Sequence, residues 1–456
     1  MGALCRIAAV AAAGATLYEA GLVHGLVQMR PSREGALFVT LAIAAAVVLL
    51  AVALLGTGRG EATARPPERY RLPSRAAWAF VAVMAMVGLA WLGGVPAPAV
   101  HDGTPYHNDA IALNECAAAL LLEGRNPYAR LDLFACYGER GLGPDRTTPL
   151  ARGLLGGVEI YPSEEQLDEV WAIRSREGRP PPEFVWRPSY PALSILPLVP
   201  FAAFGWDTNA LYIGCVLAAM ALVIARVAPG LRPFVLTGML AAASLTAFTV
   251  GGSADPLYAL PLAAAWLWRE RRWSAIALGA SMSVKQLSWP FVPFYLMQVV
   301  ATHGAGEAAR RLALAAGVFA VTNLPFVIWD APAWLAGILT PVAEPMFPRG
   351  AGLVFLATNG ALPLLPSSAY LALEVVAAVA ALALAWRARR SSPELGVVLA
   401  MVPLFFAWRS LFSYFYLLPL FAFAGIARMP TGDLAPETAR AAGAFTPLAE
   451  PAAGRR

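Results

Sequence analysis

The sequence predicts an all-α polytopic membrane protein of about twelve transmembrane helices, with re-entrant or juxtamembrane helices and one large early outer loop. Three observations carry that prediction. Of 456 residues, 58% are hydrophobic and 14% charged, and the mean hydropathy of +0.59 means more apolar surface than a water-facing exterior can cover. Apolar runs recur near residues 5–28, 36–57, 76–95, 208–228, 233–250, 256–268, 274–288, 290–302, 312–329, 367–386, 394–409 and 411–428. Several are shorter than the ~20 residues of a perpendicular span, which implies bent or paired helices. Finally, arginine clusters at 59–75, 269–272, 310–311 and 387–390 fall on the cytoplasmic side of one alternating path through these runs.

That path divides the chain into residues 1–75, two helices and a basic cytoplasmic loop, 76–428, a membrane module, and 429–456, a Pro-, Ala- and Thr-rich tail read as disordered in the cytoplasm. It predicts a multi-pass protein of the plasma membrane whose chemistry faces outside. Residues 96–189 become the outer loop, and Tyr190 to Phe204 dips into the bilayer and returns. Arg30 and Arg33 then lie outside, against the orientation rule. The first run, which contains Glu19 and His24, reads as a membrane helix because no small-residue cleavage site precedes a soluble domain.

The outer loop is rich in Pro, Gly, Arg and Glu and has too few apolar residues for a core of its own, so it is predicted to lie as a cap over the membrane face. A net charge of +5 with no basic arm excludes nucleic acid as a partner. Four cysteines without CxxC spacing argue against a zinc or redox motif. Cys116 and Cys136 share the outer loop and are a disulfide candidate where it faces an oxidising compartment.

The stretch His101 to Ala129, HDGTPYHNDAIALNECAAALLLEGRNPYA, asks for a chemical explanation. Its first nine residues place His101, Asp102, His107 and Asp109 directly after an apolar run. From Ile111 the spacing of Ile111, Leu113, Ala117, Leu120 and Leu121 turns helical, and Gly124 and Asn126-Pro127 stop it. This predicts a short amphipathic helix along the interface, with Asp109 at its start as either an N-cap or a catalytic group.

Lys285 is the one lysine in the chain. Thirteen residues past Arg272, it is predicted ~20 Å across the bilayer, where a lysine costs roughly 2.5 to 3.5 kcal/mol on insertion scales. Snorkelling is one reading. The polar neighbours Ser281, Ser283, Gln286 and Ser288 favour a wet cavity instead. Asp255, in GGSADP, is either a helix cap or a second carboxylate aimed at that cavity. Asp330 to Ser368 is a proline-rich outer segment with Glu344 and Arg349 in a loop and a re-entrant helix at Gly352 to Leu365. Arg409, in Trp408-Arg409-Ser410, is a positive charge on the outer side.

Asp109 followed by Leu121-Leu122-Glu123-Gly124-Arg125-Asn126-Pro127-Tyr128, together with the return segment from Phe184 and the arginine-rich turn before Lys285, resembles the integral-membrane GT-C glycosyltransferases. The likeness is to family 87, which includes polyprenol-phosphate-mannose-dependent mannosyltransferases, and it covers residues 76 to 428, leaving the first two helices outside. It implies a polyprenyl-phosphate sugar donor carrying mannose or another hexose, a lipid or glycan acceptor, and inverting transfer with Asp109 as general base. Lys285 and Arg409 are implied to hold the donor phosphate, with Asp255, Arg187, His107 and Tyr128 completing the binding site. No cofactor is implied and no metal is indicated. A transporter or flippase of lipid-linked sugars is the alternative, although no internal repeat is visible. A polymer ligase of the O-antigen type places its large loop late, whereas here it is early.

Overall fold

Membrane spans must satisfy their backbone internally, and helices predominate, with almost no strand, in the computed structural model, which describes residues 2–56, 108–139, 141–178, 181–250 and 252–429. The basic loop 59–75, the run 76–95, His101, Asp102, His107 and the tail beyond Met429 lie outside the described residues. Helices α1 (Ala3–Met29) and α2 (Arg33–Leu54) form a hairpin turned at Ser32, whose hydroxyl accepts from the Gly35 N–H at 3.1 Å. Buried alanines such as Ala36, Ala42, Ala46 and Ala53 let the two approach closely. Arg6 is buried in α1 because it donates to the carbonyls of Ala53 and Leu55, at 2.6 and 2.7 Å, where α2 ends with open acceptors.

The chain continues through α3 (Asp109–Leu122), α4 (Leu133–Glu139), α5 (Glu164–Glu177) and α6 (Val199–Phe204) into the membrane module. This comprises α7 (Asn209–Arg226), α8 (Arg232–Ala241), α9 (Ser244–Val250), α10 (Pro256–Leu267), α11 (Ser274–Met282), α12 (Phe291–His303), α13 (Ala305–Ala343), α14 (Leu353–Thr358), α15 (Ser367–Ala388) and α16 (Leu418–Ile426). Among the described residues five helices, α1, α2, α7, α13 and α15, are long and apolar enough to cross a membrane. Several other predicted runs are interrupted. The run 233–250 breaks at Ala242 and Ala243 between α8 and α9, where the Ser244 hydroxyl donates to the Tyr416 carbonyl at 3.0 Å. The run 274–288 ends its helix at Met282, and Lys285 is extended (φ −153°, ψ 141°).

The polar residues around Lys285 have partners within the fold. Ser281 donates to the Tyr258 carbonyl (2.9 Å), Ser288 to the Lys285 carbonyl (2.9 Å), and Gln286 to the carbonyls of Ser189 (2.7 Å) and Ile338 (3.1 Å). Ser288 thus satisfies a carbonyl at the break itself, while Ser281 and Gln286 tie it to carbonyls of neighbouring segments. The proline-rich segment after Asp330 differs from its prediction. Asp330 does interrupt α13 (φ −162°, ψ 90°), but its carboxylate accepts from the Ala333 N–H at 3.0 Å, and the helix resumes to Ala343. The segment predicted as re-entrant forms only the six-residue α14.

Among the described residues, the arginine clusters at 269–272 and 310–311 meet. Arg272 and Arg311 share Glu307, at 2.9 and 3.1 Å. Glu394, 3% exposed, accepts from Arg269 at 2.5 and 2.7 Å and from Trp266 at 2.8 Å. Ser392, just beyond the 387–390 cluster, accepts from the Gly56 N–H at 2.9 Å.

The outer loop contributes to a small core that it does not close alone: Leu155, Leu167, Val170, Phe184 and Phe347 are buried together, with Trp171 and Tyr161 against them. Phe347 comes from the far side of the chain, so the core closes only when the loop docks. A disulfide between Cys116 and Cys136 ties α3 to α4, and Arg152 pairs with Glu344 at 2.7 Å. Consequently α3 is buried nearly all round from Ala110 to Ala118, where an amphipathic interfacial helix was expected. Glu183, 0% exposed, accepts from Arg174 at 2.5 and 3.0 Å and from the Leu154 N–H at 2.9 Å.

Burial opposes the charge on Glu183, but Arg174 and the Leu154 N–H hold its carboxyl below the usual glutamate range. Such a group contributes stability in full above its unfolded pKa, and loses it as pH falls through the lower folded value. The loop should therefore resist proteolysis equally from neutral pH down to about 4.3, the ordinary glutamate value, and loosen only below. Glu183→Ala should cost about 2 kcal/mol at neutral pH; a loop cut no faster in that variant would show that Glu183 does not hold it.

Candidate active site

Asp109 is the first residue of α3 but not its cap. Asn108 takes that place: its side-chain oxygen accepts from the Ile111 N–H at 3.0 Å, and its amide donates to the Gly252 carbonyl at 3.0 Å. The Asp109 carboxylate is thereby left for another use. The Thr148 hydroxyl donates to its Oδ2. Thr148 is in turn fixed by the outer loop, where the Val185 N–H donates to the Thr148 carbonyl at 2.9 Å. One oxygen is held and the carboxylate keeps acceptor capacity on the other, which suits a general base.

Across from Asp109 is a two-stranded parallel pair, β1 (Arg349–Gly350) and β2 (Arg409–Ser410), with Arg349 in register with Arg409. It is closed by the Arg349 N–H donating to the Trp408 carbonyl (3.3 Å) and the Ala351 N–H to the Ser410 carbonyl (2.7 Å). Only glycine fits beside it: a β-carbon at Gly350 would collide with the Ser410 carbonyl, and one at Gly352 with the Phe405 carbonyl. The Arg349 guanidinium lies 3.9 Å from the ring centre of Tyr161, which the outer loop brings down. Burial pushes the Tyr161 phenol up, Arg349 and Arg409 pull it back, and Asp109 acts on it as well. One phenol thus reports that the carboxylate and both arginines share a neighbourhood. Nη1 of Arg409 is buried without a hydrogen-bond partner among the described residues.

Lys285 is not free. Its ammonium pairs with Asp255 and lies 5.1 Å from the ring centre of Tyr190. Asp255, 2% exposed, also accepts from Ser253 at 3.2 Å, and Ser253 accepts from the Tyr416 hydroxyl at 2.9 Å. Asp255 makes no side-chain cap at the start of α10; its partner is the lysine. Lysine and aspartate each sit at a helix break, where the pair joins α10 to the α11–α12 connection. Asp109, Asp255, Lys285 and Tyr414 all lie within electrostatic range of Tyr190, and Arg409, Lys285 and Asp255 within range of Tyr414.

Asp255 and Lys285 are thus in contact, and Asp109 and Arg409 lie in the same neighbourhood, around Tyr161, Tyr190 and Tyr414. The structure does not bring Tyr128 to a free surface: the residue is 1% exposed and donates to the Tyr190 carbonyl at 2.6 Å, so it positions Tyr190. Arg187 stacks 4.4 Å from the Trp186 ring centre, with no ion pair among the described residues. His107 lies outside the described residues.

No protein-family model, curated protein or solved structure matches the chain. Among the described residues no set of three or more His, Cys, Asp or Glu is grouped to hold a metal ion. Thr148, Tyr161 and Arg349 were not identified as site residues from sequence. Arg349 carried a usable signal, since the predicted orientation puts an arginine there on the outer side, the reasoning that singled out Arg409. Thr148 and Tyr161 carried none, because only the docked loop places them.

Proposed function

We propose that the protein is an integral-membrane glycosyltransferase of the GT-C kind. It transfers a sugar, mannose or another hexose, from a polyprenyl-phosphate donor to a lipid or glycan acceptor on the extracytoplasmic face of the plasma membrane. The observation that carries this reading is the joint placement of Asp109, oriented by Thr148, and of the incompletely paired Arg409 guanidinium around Tyr161, under a loop strapped by a disulfide and ion pairs. In the reaction Asp109 takes the proton of the acceptor hydroxyl, whose oxygen bonds to the anomeric carbon as the carbon–oxygen bond to phosphate breaks. The configuration inverts in this one displacement. The polyprenyl phosphate leaves with one more negative charge than it had in the donor, and Arg409 stabilises that charge in a site shielded from water. Lys285, already paired with Asp255, adds less.

The test is incorporation of radiolabelled sugar from a polyprenyl-phosphate donor into a lipid extract by membranes containing the protein. Incorporation no higher than in membranes without it sinks the reading. The helix breaks around Lys285 and Ala242 favour the second reading, a flippase of lipid-linked sugars; protein-dependent movement of an unmodified lipid-linked sugar across proteoliposomes would select it.

On the transferase reading the outer loop faces out. In a Cys5→Ser background, which removes the exposed native thiol, cysteines replacing the exposed Asp168 and Arg176 should react with an impermeant maleimide in intact cells. Reaction only after lysis reverses the orientation.

A further inference from the structure

The pairing of Arg349 with Arg409 is unexplained by the fold. Residues in register on neighbouring strands lie on one face about 5 Å apart, and like charges so placed repel. No carboxylate forms an ion pair with either arginine among the described residues; Glu344, the nearest in sequence, is taken by Arg152. Two arginines held in register without an ion-pair partner among the described residues, one of them with a buried unpaired nitrogen, are a site for an anion.

A carboxylate has two oxygens and is satisfied by one guanidinium fork. A phosphate monoester offers three terminal oxygens and up to two negative charges, so two forks can both engage it. The first helical hairpin is part of the same construction. The His24 imidazole, in α1, contacts the Gly350 carbonyl through Nε2 at 3.2 Å and packs 4.8 Å from Phe355 and 5.9 Å from Phe412, ring centre to ring centre. Thr40, in α2, donates to the Gly352 carbonyl at 3.4 Å. Backbone on both sides of Ala351 is thus held by two helices that the family resemblance leaves out. A carbonyl only accepts, so Nε2 is the donor.

We propose that Arg349 and Arg409 form a clamp for a phosphate ester, and that the α1–α2 hairpin is a positioning element for it through His24. The clamp rests on the transferase reading and deepens it by adding Arg349 where the leaving polyprenyl phosphate, a monoester, sits, but binding alone can test it. Purified full-length protein in one detergent is titrated with farnesyl phosphate, with farnesol and with inorganic phosphate as competitor. Farnesyl phosphate should bind, and Arg349→Gln and Arg409→Gln should each weaken it about ten- to a hundredfold while leaving farnesol unchanged. His24→Ala should weaken it, and His24→Gln, whose amide nitrogen reaches the same carbonyl, should restore it; a melting change without an affinity change would overturn the positioning role. Competition by inorganic phosphate at similar concentration identifies free phosphate as a sufficient ligand, and none identifies the lipid ester.

Parent-like affinity in Arg349→Gln overturns the clamp. If that variant does not fold, Arg349→Lys decides: it keeps the charge without the fork and should lose about tenfold, and no loss is equally fatal. Sugar transfer is read on the same preparations. Binding lost in Arg349→Gln while the parent transfers no sugar leaves the clamp and sinks the transferase; transfer and binding both intact in Arg349→Gln do the reverse.

Discussion

Asp109→Asn is expected to lower sugar transfer by at least ~10² to 10⁴ while the protein folds and inserts as before. The amide keeps the shape and still accepts from Thr148, but it does not take a proton at neutral pH, which is the loss expected of a missing general base. Folding should be spared because Asn108, not Asp109, caps α3. Asn108→Ala is the informative contrast: removing a cap costs about 1 kcal/mol and should lower thermal stability with a far smaller effect on turnover. Transfer at the parent rate by Asp109→Asn removes Asp109 from the mechanism.

Lys285→Met and Asp255→Asn, taken singly, should each destabilise the protein by about 3 to 5 kcal/mol, because each leaves a buried partner charge uncompensated. Lys285 and Asp255 have side chains 12% and 3% exposed, too little water to make up the loss. The double variant should recover much of that stability, since no charge then remains unpaired. Thermal denaturation in one detergent measures all four proteins. Additive losses, with the double variant worse than either single, would mean the two groups act separately. Farnesyl phosphate affinity in the double variant then asks whether Lys285 also contributes to anion binding.

Much of the membrane module was legible because lipid leaves the backbone few choices. The runs near 208–228, 256–268 and 290–302 return as Asn209–Arg226, Pro256–Leu267 and Phe291–His303. The breaks were not legible. Neither Ala242–Ala243 nor Ser283–Lys285 contains the proline or glycine that punctuates helices locally, and what stabilises them is distant, as in the bond from Ser244 to Tyr416. At the site the residue types that stood out alone, Asp109, Lys285 and Arg409, were findable because each is an anomaly where it sits. Their partners were not. Thr148 reaches Asp109 across 39 residues, and Arg349 meets Arg409 through a strand pair of two residues each, too short to leave a periodic signal.

The most direct test is a side-by-side transfer assay on purified protein and its Asp109→Asn variant, each given a radiolabelled polyprenyl-phosphate sugar or the corresponding nucleotide sugar with the same acceptor lipid extract. A GT-C transferase with Asp109 as base predicts label transferred from the lipid-linked donor by the parent, none above background from the nucleotide sugar, and almost none from either by the variant. Transfer from the nucleotide sugar alone, or equal transfer by parent and variant, would contradict it.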